Sequence, residues 1–236
     1  MALTVLDQAE FADNPEPRCP VVLVLDTSGS MNGQPIRELN EGLQAFKDAI
    51  QADRLAALRV EVAILPFGGL VRPVDVRAAA PNQTPFDPGQ PFVTGDNFAP
   101  PILTSAGDTP LGAAVRQGLQ LLRDRKETYK LNGIDYFRPW MFLMTDGKPT
   151  DEWQSAALAL REEEARKGVI FFAVGVEGAD LKILAQFSGT RPPLRLKGLA
   201  FSELFQWLSK SLSVVAHSKP GEQAPLPPVG WAQVDT

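Results

Sequence analysis

The sequence predicts an α/β fold in which helices cover both faces of a doubly wound, mainly parallel sheet. Three continuous apolar runs, at 21–25, 140–144 and 169–176, are typical of strands that are buried on both faces. Between them lie segments whose apolar residues recur at helical spacing. Strands that alternate with helices in this way form parallel sheets, and 236 residues are enough for one such domain.

The first third of the chain contains a strand, a helix and a predicted hairpin. The helix begins near Pro35, which suits a first helical turn, and its apolar periodicity continues to about residue 51. Two strands follow at 59–67 and 70–77, with only two glycines between them. Such a short connection predicts an antiparallel hairpin, and Pro73 places its second strand at the edge of the sheet.

Two polar stretches, 78–108 and 128–137, are predicted loops, and we expect both to flank the carboxyl end of the sheet. Capping signals mark two helix starts: Asp108-Thr109-Pro110 begins one helix, and Thr150 or Asp151 is expected to cap the next. The predicted strands are 20–26, 59–67, 70–77, 138–145, 169–176 and 194–196, and the predicted helices are 35–51, 110–126, 151–167, 180–187 and 201–215.

Composition and charge exclude several classes of protein. The net charge is −5 with interleaved acids and bases, so we expect no nucleic-acid-binding surface. The single cysteine, Cys19, excludes an internal disulfide and a zinc site built from cysteines. The single histidine, His217, lies in a polar tail, which argues against a Ser-His-Asp or Cys-His enzyme.

The two ends of the chain are predicted to lie outside the folded domain. Residues 1–17 are expected to be a short lead-in, and they lack the basic start and apolar core of a signal peptide. No apolar run approaches a membrane span, so we expect a cytoplasmic protein that does not associate with a membrane. The Pro-rich tail, 217–236, is expected to have no fold of its own. Its Trp231 predicts docking on the domain or on a partner, and a disordered tail is an equal alternative.

Oxygen-bearing side chains follow two of the predicted strands and precede one helix. The pattern Asp-x-Ser-x-Ser occupies 26–30, directly after the first strand. Open α/β sheets bind ligands outside the carboxyl ends of their strands, and carboxylate and hydroxyl oxygens are ligands that Mg²⁺ accepts. From its sequence context, Thr109 could bind a metal or only cap its helix. The candidate metal ligands are Asp26, Ser28, Ser30, Thr109 and Asp146.

The order and context of these residues resemble the von Willebrand factor A domain and its metal-ion-dependent adhesion site. That site has Asp-x-Ser-x-Ser, then Thr, then Asp; all five positions are present, within a resemblance that covers roughly 18–216. The resemblance implies a six-stranded sheet with one antiparallel edge strand, and a metal site at the strand ends. The stretches 136–140 and 145–153 further resemble the bacterial TerY-like subgroup, which is associated with tellurite resistance and stress operons.

The ligand set suggests how such a site would recognise a partner. Asp26 and Asp146 supply the only negative charges in these motifs, so a bound ion keeps uncompensated positive charge if one of the two carboxylates binds only through water. A coordination position left to water would then attract a carboxylate, as the resemblance also implies. We therefore expect a protein partner that presents Asp or Glu. The expected ion is Mg²⁺, with Mn²⁺ or Ca²⁺ as alternatives, and the isolated protein is expected to be a monomer.

Two other functions are compatible with the same acids. One is a metal-assisted hydrolase such as a phosphatase, and the other is a scaffold whose metal is purely structural. Against the enzyme, Ser28 stands where an aspartate-nucleophile phosphatase carries its second acid, and no Gly-rich phosphate loop is present. The sequence therefore predicts a metal-dependent protein-interaction module without catalytic activity.

Overall fold

The computed structural model describes residue 11 and residues 13–80 and 83–233, in which helices and strands alternate. The strands are β1 (Cys19–Asp26), β2 (Val60–Gly68), β3 (Leu70–Val71), β4 (Val93–Thr94), β5 (Trp140–Thr145), β6 (Ile170–Gly175), β7 (Leu194–Leu196) and β8 (Ala232–Gln233). The helices are α1 (Gln34–Ala52), α2 (Arg54–Arg59), α3 (Leu111–Asn132), α4 (Gln154–Ala165), α5 (Leu181–Leu184) and α6 (Phe201–Ala216).

The strands form one sheet in the order β3-β2-β1-β5-β6-β7-β8, and β4 also pairs with β2. Neighbouring strands among β2, β1, β5, β6 and β7 pair in parallel, and the short β3 lies antiparallel at one edge. The predicted fold class is thus confirmed, and all six predicted strands are present. The additional strands β4 and β8 have two residues each, which is too short to give a period-two signal.

Side chains of β1 alternate between two apolar cores, one on each face of the sheet. Val21, Leu23 and Leu25 pack with α1 and α6, whereas Val22 and Val24 pack with α3 and α4. Burial on both faces explains why the strand sequence is apolar at every position from 21 to 25. The chain leaves β1 towards β2 and leaves β5 towards β6, in opposite directions across the sheet. The carboxyl ends of β1 and β5 therefore form the topological switch point at which such sheets bind ligands.

The predicted edge strand at 70–77 is wrong in length, because the β3 ladder ends at Val71. Pro73 supplies no N–H for a continued ladder. Asp75 instead bonds locally, since its Oδ1 accepts from the backbone N–H of Arg77 over 3.1 Å. Arg77 then forms an isolated bridge with Phe98. The edge is therefore short and irregular beyond the hairpin.

The loop predicted at 128–137 is partly helical and lies at the other end of the sheet. Helix α3 continues to Asn132 and ends at Gly133, which adopts a φ of 67°. Tyr136 then bridges to Arg18, which directly precedes β1. The expectation that this loop flanks the metal site is thus wrong. The loop at 78–108 reaches both ends of β2, because Val93 pairs with Val62 whereas the stretch 101–108 returns to the carboxyl end.

A buried ionic cluster lies near the amino ends of β1 and β2. The Glu61 carboxylate is fully buried and accepts from Arg18 Nε over 2.9 Å and from Arg125 Nε over 2.7 Å. The hydroxyl of Tyr129 donates to the same carboxylate. Burial of Tyr129 in this cluster explains why α3 extends beyond the predicted helix end. This cluster lies at the opposite end of the strands from the candidate ligands, so we assign it to the stability of the fold and not to the candidate site.

The Pro-rich tail docks on the domain over its described part, 217–233. Strand β8 pairs antiparallel with β7, and Trp231 is 3% exposed. The Trp231 ring packs edge-on against Trp207 at 5.6 Å between centroids, and Trp207 Nε1 donates to the Pro227 carbonyl over 2.8 Å. Of the three alternatives for this tail, docking on the domain is the one that the structure shows.

Little of the predicted lead-in can be compared with the structure, because residues 1–10 and 12 lie outside the described residues. Its last part contacts the domain, since Glu16 Oε2 accepts from Arg59 Nη2 over 2.7 Å. The proposed division at 1–17, 18–216 and 217–236 stays a prediction. Within the described ranges, no helix combines the length and apolar character that a membrane crossing needs.

Candidate metal site

Asp26 ends β1 with its side chain buried at the junction with β5. Its Oδ1 accepts from the backbone N–H of Ser28 over 2.8 Å, and its Oδ2 accepts from Thr145 Oγ1 over 2.5 Å. Thr145 ends the neighbouring strand β5. The carboxylate is therefore held between two adjacent strand ends in one orientation.

The two serines connect Asp26 to Asp146. Ser28 Oγ and Ser30 Oγ lie 3.0 Å apart, and Ser30 Oγ donates to Asp146 Oδ1 over 2.7 Å. Ser28 is buried, whereas Ser30 is exposed and Asp146 is half-buried. Four of the five predicted ligands thus form one hydrogen-bonded group that runs from the sheet interior to the surface.

Thr109, the fifth predicted ligand, lies beside the loop that carries Asp146. Its carbonyl accepts from the backbone N–H of Thr150 over 2.9 Å, and its own N–H donates to Thr150 Oγ1 over 3.2 Å. A Cβ atom added to Gly147 would stand 3.0 Å from Thr109 Oγ1. The glycine therefore lets the Asp146 loop approach the threonine hydroxyl closely.

The helix-capping roles differ from those that the sequence predicts. The side chain of Asp151 accepts from the N–H groups of Gly112 and Ala113 over 2.9 and 2.8 Å, so it caps α3. At the start of α4, where Thr150 or Asp151 is expected, Glu152 Oε1 instead accepts from the backbone N–H of Ser155 over 2.9 Å. Neither Thr109 nor Asp108 needs to cap α3, because a residue of another loop satisfies its first turn.

Backbone hydrogen bonds join the loops around the site. Gly29 N–H donates to the Gly107 carbonyl over 2.9 Å, and Ala106 N–H donates to the Thr27 carbonyl over 2.8 Å. A Cβ atom on Gly68 would stand 2.3 Å from the Thr27 carbonyl oxygen, so only glycine fits there. The loop after β1 is thus held by two other loops, which positions the serines before any ligand binds.

The pKa values of Asp26 and Asp146 are both raised. Burial raises the pKa of Asp26, hydrogen bonds from Ser28 and Thr145 oppose this, and the charge of Asp146 raises the pKa further. Burial also raises the pKa of Asp146, and the hydrogen bond from Ser30 opposes it. Within the described ranges, neither carboxylate forms an ion pair with a basic side chain. A divalent cation would supply the missing compensation.

The donor set fits a hard divalent ion. It consists of two carboxylates and neighbouring hydroxyls, the oxygen ligands that Mg²⁺ and Ca²⁺ accept. The described residues hold no cluster of three or more His, Cys, Asp or Glu side chains. This finding agrees with a site in which hydroxyls, rather than additional acids, complete the ligand set.

Thr145 contacts the candidate ligand Asp26, and sequence reasoning did not identify it as part of the site. Its hydroxyl donates to Asp26 and also accepts from the backbone N–H of Gly147 over 3.2 Å. Its position between the apolar run at 140–144 and the candidate ligand Asp146 is a sequence signal that could have identified it. Its partner, however, depends on β5 lying next to β1, which is a property of the topology.

The sheet, its switch point and the oxygen-rich loops define a doubly wound α/β domain with a candidate metal site at the strand ends. The family model described as von Willebrand factor type A domain matches residues 21–201. The chain therefore belongs to the von Willebrand factor type A domain family. No curated protein sequence matches it significantly.

Solved structures with a similar fold include two proteins from distant sources. The pilus adhesin SpaC from Lactobacillus rhamnosus GG, in an open conformation, is 16% identical with a TM-score of 0.62, over 86% of this chain and 31% of that chain. Proximal thread matrix protein 1 from the mussel byssus is 16% identical with a TM-score of 0.52, over 85% of this chain and 49% of that chain. The chain thus spans about a third of the length of SpaC and about half of that of the mussel protein. The likeness concerns the fold alone.

Proposed function

We propose that this protein is a metal-dependent protein-interaction module. The observation that carries the proposal is the hydrogen-bonded group of Asp26, Ser28, Ser30 and Asp146 at the switch point, with Thr109 beside it. A purely structural metal would need no donors at the surface, yet Ser30 is exposed and Asp146 is half-buried. The arrangement favours an ion that remains accessible from outside.

Each residue would have its own role around the ion. Ser28, Ser30 and Thr109 would supply neutral oxygens, and Asp146 would bind directly or through water. Asp26 would supply a negatively charged oxygen and orient Ser28, since each of its oxygens accepts one hydrogen bond and keeps a lone pair for the ion. When bound, Mg²⁺ would supply an electrophilic position for an oxygen ligand from outside the chain. We infer that Mn²⁺ and Ca²⁺ can substitute.

The partner in this proposal is a protein that presents Asp or Glu to the open position. With one of the two carboxylates bound only through water, the ion keeps positive charge at its open position. An incoming carboxylate then gains an ionic contact without displacing a protein ligand. The pilus adhesin SpaC contains a domain of similar fold, which is compatible with a binding role for this chain.

We infer that the site performs no catalysis. His217 lies 3.1 Å from Asp53 Oδ2 beyond the end of α6, far along the chain from the candidate ligands. Burial and the charge of Glu61 raise the pKa of Cys19 to about 12, so its thiol is not an available nucleophile. A metal-dependent hydrolysis of phosphoesters that is lost in Asp26→Ala would contradict this inference.

Calorimetry with Mg²⁺ and Mn²⁺ tests the metal site. Wild type should bind one ion, and the double variant Ser28→Ala with Ser30→Ala should bind it far more weakly while remaining folded. Ser105→Ala is the matched control, because Ser105 is a half-buried serine near this site whose hydroxyl donates to Asn32 Oδ1 over 3.4 Å. Equal affinity in the double variant and the control would refute the ligand assignment.

A narrower proposal concerns the cellular role. The stretches 136–140 and 145–153 support a TerY-like protein of a bacterial tellurite or stress response, acting in the cytoplasm as a monomer. Deletion of the gene from its native host should then increase sensitivity to tellurite. Complementation with wild type, but not with the double serine variant, would connect that role to the metal site.

A further inference from the structure

A cleft of about 470 Å³ opens beside the candidate metal site. It begins at Thr27, between the ligands Asp26 and Ser28, and extends between the β2–β3 hairpin and the 101–104 stretch. Leu70 and Ile102 lie on its two sides and are 83% and 71% exposed. No other large apolar side chain that the structure describes is as exposed as these two.

Both apolar side chains are presented on rigid backbone. Leu70 belongs to the hairpin, where it pairs with Gly68, and Gly69 N–H donates to the Asp108 carbonyl over 2.9 Å. The neighbour of Ile102, Leu103, is 6% exposed, and its backbone exchanges two hydrogen bonds with the side chain of Asn40 at 2.8 and 2.9 Å. Apolar groups already held in place lose little conformational entropy when a partner covers them.

The charge of the cleft indicates the sign of its partner. Arg72 lines the cleft, is exposed, and forms no ion pair with another residue in the described part of the chain. The acid on the same wall, Asp75, is already neutralised, because its Oδ2 lies 2.6 Å from Arg77 Nη2. The cleft therefore combines two exposed apolar side chains, an available guanidinium and the electropositive position proposed for the metal.

We propose that this cleft binds an extended acidic segment of a partner protein. One carboxylate of the segment occupies the metal site, an apolar side chain a few residues away packs between Leu70 and Ile102, and a further acidic residue pairs with Arg72. This assignment deepens the proposed function and depends on it for the first contact only.

Selection from a random peptide library displayed on phage tests the proposal. Wild type with Mg²⁺ should enrich peptides that carry Asp or Glu and, at a fixed short spacing, Leu, Ile, Val, Phe or Met. Synthetic copies of the enriched peptides should bind Leu70→Ser with Ile102→Ser roughly ten-fold or more weakly, since a buried apolar side chain contributes that much. Arg72→Ala should weaken peptides that carry the additional acid and leave their Gln counterparts unchanged.

The controls separate this proposal from the metal assignment. Leu131→Ser with Leu158→Ser removes two other exposed leucines and should leave peptide affinity unchanged. Mg²⁺ affinity, measured by calorimetry, should be equal in the cleft variants and wild type.

Three outcomes decide between the two proposals. Peptides that need Mg²⁺ but bind the cleft variants as well as wild type would contradict the cleft proposal and leave the metal site supported. Peptides that bind equally in EDTA yet need Leu70 would support the cleft and contradict the metal proposal. Self-association of wild type that is lost in the cleft variants would also overturn the proposal, because a second copy would then cover the cleft.

Discussion

Thr145 and Asp26 end neighbouring parallel strands, and the threonine hydroxyl donates to the aspartate carboxylate. The other carboxylate oxygen accepts from the backbone of Ser28. Asp26 thus has both oxygens engaged by the chain itself. Groups that hydrogen-bond to a ligand side chain in this way determine its orientation and its affinity for an ion.

Replacing Thr145 by valine should therefore weaken ion binding although Thr145 is not a proposed ligand. We expect Mg²⁺ affinity to fall by roughly ten-fold or more. The free energy of unfolding should fall by about 1–3 kcal/mol, because Asp26 keeps its burial but loses one partner. Calorimetry and urea unfolding measure the two effects, and Thr145→Ser, which retains the hydroxyl, should restore most of both. An unchanged Mg²⁺ affinity in Thr145→Val would show that Asp26 does not belong to the ion's surroundings.

The parallel strands and most of the candidate site could be predicted because their signals are local. Burial on both faces makes β1 and β5 apolar throughout, and the oxygen donors follow directly in sequence. In these two segments a residue and its structural reason lie close together. Thr109 was a candidate because it follows Asp-x-Ser-x-Ser and precedes Asp146, in the order of the site that the sequence resembles.

The elements that sequence reasoning missed depend on distant partners. Strand β8 pairs with β7 at a separation of more than thirty residues, and Asp151 caps α3 from 38 or 39 residues away. Helix α3 continues to Asn132 because Tyr129 reaches the buried Glu61 carboxylate, which belongs to β2. No local propensity specifies such contacts, so they become visible only when the topology is known.

Replacing Glu61 by glutamine should destabilise the protein strongly. The neutral side chain leaves Arg18 and Arg125 buried without their carboxylate, a change that typically costs about 3–5 kcal/mol. Urea unfolding at neutral pH measures this loss. Glu127→Gln is the matched control, because Glu127 is 65% exposed and pairs only with Lys130 on the surface. A similar free energy of unfolding for both variants would show that the buried cluster contributes little.

The same cluster predicts a dependence of stability on pH. Burial alone would raise the pKa of Glu61, but Arg125, Tyr129 and Arg18 outweigh it and leave the pKa below its usual value. A carboxyl group whose pKa is lowered by folding stabilises the native state above its unfolded pKa of about 4.3. That stability is lost as the pH falls through the lower, native pKa. The difference in unfolding free energy between wild type and Glu61→Gln should therefore shrink below about pH 4. A difference that stays constant with pH would contradict this assignment.

The cap on α3 leads to a smaller, local prediction. Asp151→Ala removes the acceptor for two N–H groups of the first helical turn, and a lost cap costs about 1 kcal/mol. Thermal unfolding should show the decrease, and Asp151→Asn should recover part of it. Hydrogen exchange at Gly112 and Ala113 should accelerate in Asp151→Ala more than exchange in the middle of α3. Uniform acceleration along the helix would instead indicate a global effect without a capping role.

Trp231 should hold the tail to the domain through its apolar ring and not through its indole N–H. The ring is buried against Trp207, but the Trp231 Nε1 atom has no hydrogen-bond partner among the described residues. Trp231→Phe should therefore be tolerated, whereas Trp231→Ala should lower the free energy of unfolding by about 3–5 kcal/mol or release the tail. Limited proteolysis with a glutamate-specific protease distinguishes these outcomes, because a released tail is cleaved after Glu222 while the domain stays intact. If Trp231→Ala is as stable and as protease-resistant as wild type, the backbone pairing of β8 with β7 suffices to dock the tail.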